Sequence, residues 1–269
     1  RLTAPMVLYL KIWKSRSLPG YFLMKNIIVV TGGSGFVGSN LIKNLIRSTK
    51  KKIISIDDYS SGCKKNHIVN SRITYIKNST KNIKKILHSK KKNIETIFHF
   101  GEYSRIFQSF KNFQKCFDSN INGSIEVILF CLQNKIKLIY SATSASLGNS
   151  GKDENLSPYA YTKSKNLELL ENLKKWFNFK YEIIYFYNVY GSGQIKKGEN
   201  ATVIGIFENQ TKENVPLTVV KPGTQKRRFT HIDDTIDICL KAWKLNKCKH
   251  YAISNKKSYS IIEVAKMSK

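Results

Sequence analysis

Residues 25–38 read KNIIVVTGGSGFVG, and this stretch decides the fold. Ile27 to Thr31 is a run of apolar and β-branched residues without polar alternation. Such a run predicts a parallel strand buried on both faces. The glycines that follow end it, and residues 37–47 then place Val37, Leu41, Leu45 and Ile46 at helical spacing. A strand, a glycine turn and a helix in succession form the first half of a βαβ unit. Further strands are predicted over 52–56, 94–100, 136–141 and 181–187, with a helix over 124–133. Strands alternating with helices predict a doubly wound α/β fold on a parallel sheet. After Asn188 the elements shorten and Gly, Pro and Lys intervene, which predicts a smaller α+β part.

The glycine run fits GxxGxxG at 32, 35 and 38, and GxGxxG at 33, 35 and 38. Glycines let the backbone turn tightly and approach a pyrophosphate, whose charge then sits at the helix N-terminus. Asp57 closes the second strand, nineteen residues after Gly38. A carboxylate there accepts hydrogen bonds from an adenosine ribose and repels a 2′-phosphate. The expected cofactor is NAD rather than NADP, held by Gly32, Gly35, Phe36, Val37, Gly38, Asp57 and Asp58 in this Rossmann-type half.

Ser157-Pro158-Tyr159-Ala160-Tyr161-Thr162-Lys163 opens a second informative helix. Ser157 suits its N-cap and Pro158 its first turn. Tyr159 and Lys163 are four apart and share a face. A free tyrosine, with a pKa of about 10, is a poor base at neutral pH. A neighbouring ammonium and a positively charged nicotinamide favour its phenolate. Such a pair can take a proton from a sugar hydroxyl while hydride leaves the same carbon.

Composition narrows the alternatives. The chain has 269 residues, with 46 Lys+Arg against 18 Asp+Glu and a formal charge of +28. With 41% hydrophobic and 12% aromatic residues it can bury a core and is no disordered polycation. The excess is mostly Lys alongside abundant Asn and Ile, which reads as a coding-composition bias. No nucleic-acid recognition module accompanies it, so no specific nucleic-acid partner is expected. A basic surface still attracts anionic small substrates. No apolar run reaches the ~20 residues of a membrane-spanning helix, so no membrane insertion is expected. The five Cys form no CxxC pair, which points to a reducing, cytoplasmic setting and no metal. Packing roles are expected for His99 and His231. Residues 1–23 read as an extension ahead of a natural start at Met24. Residues 24–188 read as the NAD-binding domain. Residues 189–269 read as a substrate-binding part interleaved with it. The helix opening near Ser260 is expected to continue beyond Lys269, so that the C-terminus is truncated.

In order along residues 25–269, these pieces resemble the extended short-chain dehydrogenase/reductase family, and within it the nucleotide-sugar epimerases and dehydratases related to UDP-glucose 4-epimerase. Phe98-His99-Phe100-Gly101-Glu102 is similar to the family's HxA-type segment beside the cofactor, although Gly101-Glu102-Tyr103 replaces small residues there. Asn120-Ile121-Asn122-Gly123-Ser124 resembles its NxxGT helix motif. The resemblance implies cofactor contacts at Phe100, Gly101, Asn120, Ser141 and Phe186. It also implies that Thr143 hydrogen-bonds the reacting oxygen and that Tyr159 is the acid/base. Lys163 would hold the nicotinamide ribose and acidify the tyrosine. Substrate contacts are implied at Asn188, Asn200 and Arg227, the last within a segment similar to QxRDFxxVDD, where Arg228 replaces an Asp. A homodimer is implied through the helix after Asn120 and the helix carrying Tyr159.

The expected activity is epimerisation at C4 of a nucleotide sugar, in particular a UDP-hexose, through a transient 4-keto sugar. The alternative is another nucleotide-sugar-modifying enzyme of that family, above all a 4,6-dehydratase. That chemistry needs an acid/base pair where this sequence has Ser144-Ala145 after Thr143. A non-catalytic NAD-binding protein, or an inactive fragment, is the remaining class.

Overall fold

The computed structural model describes residues 25–268, so Met24 and the extension before it, like Lys269, lie outside the described residues. The apolar run forms β1 (Ile27–Thr31), and the helical spacing after it forms α1 (Phe36–Ser48). Next come β2 (Lys52–Asp57), β3 (Ile73–Lys77), α2 (Ile83–Leu87) and β4 (Ile94–His99). Two short helices follow, α3 (Ile106–Lys111) and α4 (Phe113–Phe117), and then one wide turn over Asp118–Gly123. That turn leads into α5 (Ser124–Gln133), β5 (Lys137–Thr143), α6 (Pro158–Phe177) and β6 (Tyr181–Phe186). The remaining elements are β7 (Val189–Tyr190), α7 (Val203–Lys212), β8 (Lys226–Arg227), β9 (Thr230–His231), α8 (Ile232–Lys244), β10 (His250–Ala252), β11 (Tyr259–Ser260) and α9 (Ile261–Met267).

Seven strands form one parallel sheet in the order β10-β6-β5-β4-β1-β2-β3. The order reverses between β1 and β4, and the crevice at such a switch point is where α/β sheets of this kind bind ligands. Side chains alternate across the sheet as the two-residue period requires. Ile27 and Val29 of β1 face α2, α5 and α6 with Ile83, Leu87, Val127, Cys131, Leu167 and Leu170. Ile28 and Val30 face α1 and α8 with Leu41, Leu45, Ile236 and Cys239. Burial on both faces explains why β1 reads as an unbroken apolar run.

Strand β3 is an edge strand that the sequence reading does not predict. Its ITYIK segment is only half-buried and carries neither a continuous apolar run nor a clear boundary. The chain after Asn188 divides. Helix α8 and strand β10 return to the large sheet, where β10 pairs with β6. The buried Glu182 carboxylate on β6 accepts the N–H groups of Lys247, Cys248 and Lys249 and so fixes the approach to β10. A third, smaller cluster gathers Phe207, Phe229, Ile261, Val264 and Ala265. Its helix α9 begins with a full capping box, Ser260 with Glu263.

Candidate active site

The glycine loop joins β1 to α1 above the C-terminal edge of the sheet. Gly32 sits at φ +68°, and a Cβ there would lie 2.8 Å from the backbone of Phe100 and Gly101. The two loops therefore touch backbone to backbone, which only small residues permit. A Cβ on Gly38 would fall 2.1 Å from the Gly32 carbonyl oxygen, so the third glycine lets α1 close onto the turn. At Gly35, the N-cap of α1, no side chain caps the helix, and an added Cβ would meet only the Gly32 oxygen at 3.2 Å. An uncapped helix N-terminus facing open space fits a diphosphate.

Asp57 lies at the end of β2 as the spacing predicts. Its carboxylate accepts the Ser34 N–H (2.9 Å) and the Tyr59 N–H (2.8 Å), which ties the glycine loop to β2. Burial raises its pKa, opposed by those two hydrogen bonds. Asp58 is exposed, and its carboxylate accepts the Ser60 N–H. Phe100 and Phe186 meet edge to face with centroids 5.4 Å apart. Phe100 follows β4 and Phe186 ends β6, so the two rings meet across the C-terminal end of β5. Phe36 and Val37 stand half-buried on the first turn of α1.

Thr143 ends β5, and its hydroxyl accepts the Ala145 N–H at 3.2 Å. Ser157 caps α6 through the Ala160 N–H, with Pro158 at the first helical position, as the sequence predicts. This start places Tyr159 and Lys163, both largely buried, on the first turns of α6. The Lys163 ammonium donates to the Ser141 carbonyl at 2.6 Å.

The partner that the sequence reading missed is Glu102. Its carboxylate pairs with the Lys163 ammonium, and the two side chains are only 2% and 4% exposed. It also accepts from the hydroxyls of Ser124 and Tyr140, each at 2.8 Å. Burial alone would raise the Glu102 pKa; Lys163, His99 and the hydrogen bonds from Lys163 and Ser124 outweigh burial and bring it below the usual carboxylate value. An acidic residue straight after a strand end in a chain of charge +28 is the signal that could have exposed it. His99 lies beside this pair, with Nδ1 2.7 Å from the Thr31 hydroxyl and Nε2 2.9 Å from that of Ser124. Burial pushes its pKa down to about 4, so the imidazole is neutral at pH 7.

Asn120 is fully buried and spends its amide locally. It accepts the Tyr103 N–H at 2.6 Å and donates to the Tyr103 carbonyl and the Thr162 hydroxyl, each at 3.1 Å. It thus holds the 101–105 loop against α6. Asn188, at φ +37°, donates to the Arg228 carbonyl at 2.8 Å and brings the end of β6 beside β8. Arg227 stands exposed on β8. The carbonyl of Asn200 accepts a hydrogen bond from Arg105, a second residue that the sequence reading did not single out. His231 serves as the N-cap of α8. Among the described residues there is no group of three or more His, Cys, Asp or Glu able to hold a metal, and no helix long and apolar enough to cross a membrane.

Residues 28–254 match the sequence model of the NAD dependent epimerase/dehydratase family. The chain belongs to this family. A Bacillus subtilis relative described as an uncharacterized UDP-glucose epimerase, YtcB, is 30% identical over 226 residues, which are 78% of this chain and 70% of that protein. An ADP-L-glycero-D-manno-heptose-6-epimerase from Brachyspira hyodysenteriae is 27% identical across 79% of this chain and 70% of its own. The crystal structure of Thermotoga maritima UDP-glucose 4-epimerase with UDP-glucose superimposes with a TM-score of 0.82 at 23% identity. It spans 90% of this chain and 81% of that one, and shows the shared fold. NAD is the cofactor of this family of enzymes. The bare N-terminus of α1 and the glycine loop fit its diphosphate.

Proposed function

We propose that this enzyme epimerises C4 of a nucleotide sugar, with a UDP-hexose as substrate. The observation that carries the reading is that Thr143 ends β5 while Tyr159 and Lys163 stand buried on the first turns of α6, with the Lys163 ammonium on the Ser141 carbonyl of β5. NAD, when bound, accepts hydride from the sugar and returns it. The chain's own residues do the rest. Thr143 orients the C4 oxygen, Tyr159 takes and restores its proton, and Lys163 would hold the nicotinamide ribose and favour the phenolate. The residues after Thr143 are Ser144 and Ala145, which cannot move the proton that dehydration requires. Glu102 does not fill that role, because its oxygens are bound to Lys163, Ser124 and Tyr140.

In this reading residues 24–188 bind NAD. The small cluster around Phe207 and Phe229 forms the substrate part, and α8 with β10 belongs to the large sheet. Arg227 and Asn188 converge there on the nucleotide diphosphate, for which the planar guanidinium suits paired phosphate oxygens. Arg227→Ala is expected to weaken UDP-hexose binding about tenfold or more while leaving NAD affinity unchanged, as read by titration calorimetry. Equal affinity in the variant would remove Arg227 from the substrate site.

The protein pairs as a homodimer in this reading. Phe110, Phe113, Phe117 and Tyr161 line one apolar surface groove with Leu156 and Pro158. These residues lie on α3, α4 and the start of α6. The exposed apolar surface thus implicates α4 rather than α5, whose apolar side is spent on the core. Sizing chromatography is expected to give twice the chain's mass, and a monomer would contradict it. The five free thiols fit a reducing cytoplasm.

A further inference from the structure

One cation of the loop after β4 is held by carbonyls rather than by an acid. Arg105 is the N-cap residue of α3, and its guanidinium donates to the carbonyls of Ser104 (3.1 Å) and Asn200. Its Nε is shut off from solvent and has no hydrogen-bond partner among the described residues. Among them, too, no carboxylate forms an ion pair with Arg105. Glu199, next to Asn200, stands 3.8 Å from the Lys111 ammonium instead. A charge drawn out of water is costly unless an opposite charge joins it. A planar guanidinium with a spare N–H suits the paired oxygens of a carboxylate or a phosphate.

The surrounding bonds place this cation between the candidate acid/base and the substrate part. One turn along α3, the Ser109 hydroxyl accepts the Tyr159 N–H at 3.3 Å, so α3 packs onto the start of α6. From the same helix, Gln108 donates to the Glu199 carbonyl at 3.0 Å. Asn200, which accepts from Arg105, lies two residues before Thr202, the N-cap of α7. Helix α7 carries Phe207 of the small cluster. Arg105 thus ties the helix that touches Tyr159 to the segment that leads into the substrate part. It is a second arginine there besides Arg227, which is exposed on β8.

We propose that Arg105 binds an anionic group of the nucleotide sugar, either a carboxylate on the sugar or a phosphate of the diphosphate. This rests on the reading of the chain as a nucleotide-sugar enzyme. In a hexuronate the carboxylate is borne by C5, the ring carbon next to the C4 that reacts at Tyr159. An arginine serving it would select acidic sugars over neutral ones. An arginine serving the diphosphate would act together with Arg227 and leave the sugar unselected.

The test compares the full chain with Arg105→Gln and Arg105→Lys, using UDP-glucose and UDP-glucuronate as probes in the presence of NAD. Affinity is read by titration calorimetry at two salt concentrations, and NAD affinity and a thermal melt are taken on the same samples. Arg105→Gln is expected to weaken binding about tenfold or more, since it removes a charge-assisted hydrogen bond. Its binding is also expected to depend less on salt, while NAD affinity stays unchanged. Arg105→Lys keeps the charge but not the fork, and is expected to fall between the two. Loss confined to UDP-glucuronate assigns the sugar carboxylate, and equal loss for both probes assigns the diphosphate. Parental affinity for both probes in Arg105→Gln would overturn the proposal. A loss shared with NAD and unchanged in its salt dependence would also overturn it, because it would mark Arg105 as structural. Should Arg105→Gln fail to fold, Arg105→Lys decides on the same criteria. Arg105-dependent binding without C4 epimerisation would count against the epimerase reading and leave this proposal standing, whereas epimerisation with Arg105-independent binding would overturn this proposal alone. A parent chain that binds neither probe would contradict both.

Discussion

Tyr159→Phe is expected to cut nucleotide-sugar turnover by about a thousandfold while NAD binding and thermal stability stay close to those of the parent. A positioned general acid–base contributes about 10²–10⁴ in rate, and the substitution removes only the hydroxyl that carries the proton. The surrounding packing does not depend on that hydroxyl. The Tyr159 backbone keeps its bonds to Ser109 and Thr162, and its ring stays buried at the start of α6. A coupled assay of the product sugar, with NAD titration and a thermal melt on the same sample, checks all three points. Loss of NAD binding together with activity would mean that the ring position, and not the proton, had been disturbed.

Lys163→Met is expected to be the most destabilising single change at this site, by about 3–5 kcal/mol, because it leaves the buried Glu102 carboxylate without its cation. The sign of the pH dependence separates this cause from lost packing. In the parent, the Glu102 pKa lies below its usual value, since Lys163, His99 and the hydrogen bonds outweigh burial. The group then contributes stability that is complete above the unfolded carboxylate value of about 4.3 and is lost as pH falls through the lower folded value. In the variant, burial acts with less opposition and raises the Glu102 pKa. Folding then favours the protonated acid, so the variant loses stability as pH rises. Urea denaturation is expected to show a larger gap between parent and variant at about pH 8 than at about pH 5. A gap independent of pH would assign the loss to packing alone.

The large sheet was legible because its central strands are buried on both faces. Residues 27–31 form a nearly continuous apolar run that is read directly from the sequence, and 94–99 carry Ile94, Ile97 and Phe98. The edge strand β3 escaped because it is only partly buried and carries no unbroken apolar run, and the return of β10 to the sheet escaped because three residues carry no periodicity. The glycine loop, Asp57, Ser157, Tyr159 and Lys163 were legible since each is fixed by local spacing or by a cap. Glu102 and Arg105 were not. Their meaning comes from contacts across 61 and 95 positions of chain, to Lys163 and Asn200, which no local pattern records. Asn120 lies between these cases. Its motif is visible, but only the structure shows that its amide is committed to Tyr103 and Thr162.

The most direct test of the central claim is to incubate the full chain with NAD and a UDP-hexose deuterated at C4, and to identify the product by NMR. The account predicts the C4 epimer with deuterium still at C4, formed by the parent and not by Tyr159→Phe. A 4-keto-6-deoxy sugar, or an epimer whose C4 deuterium has been lost to solvent, would contradict it.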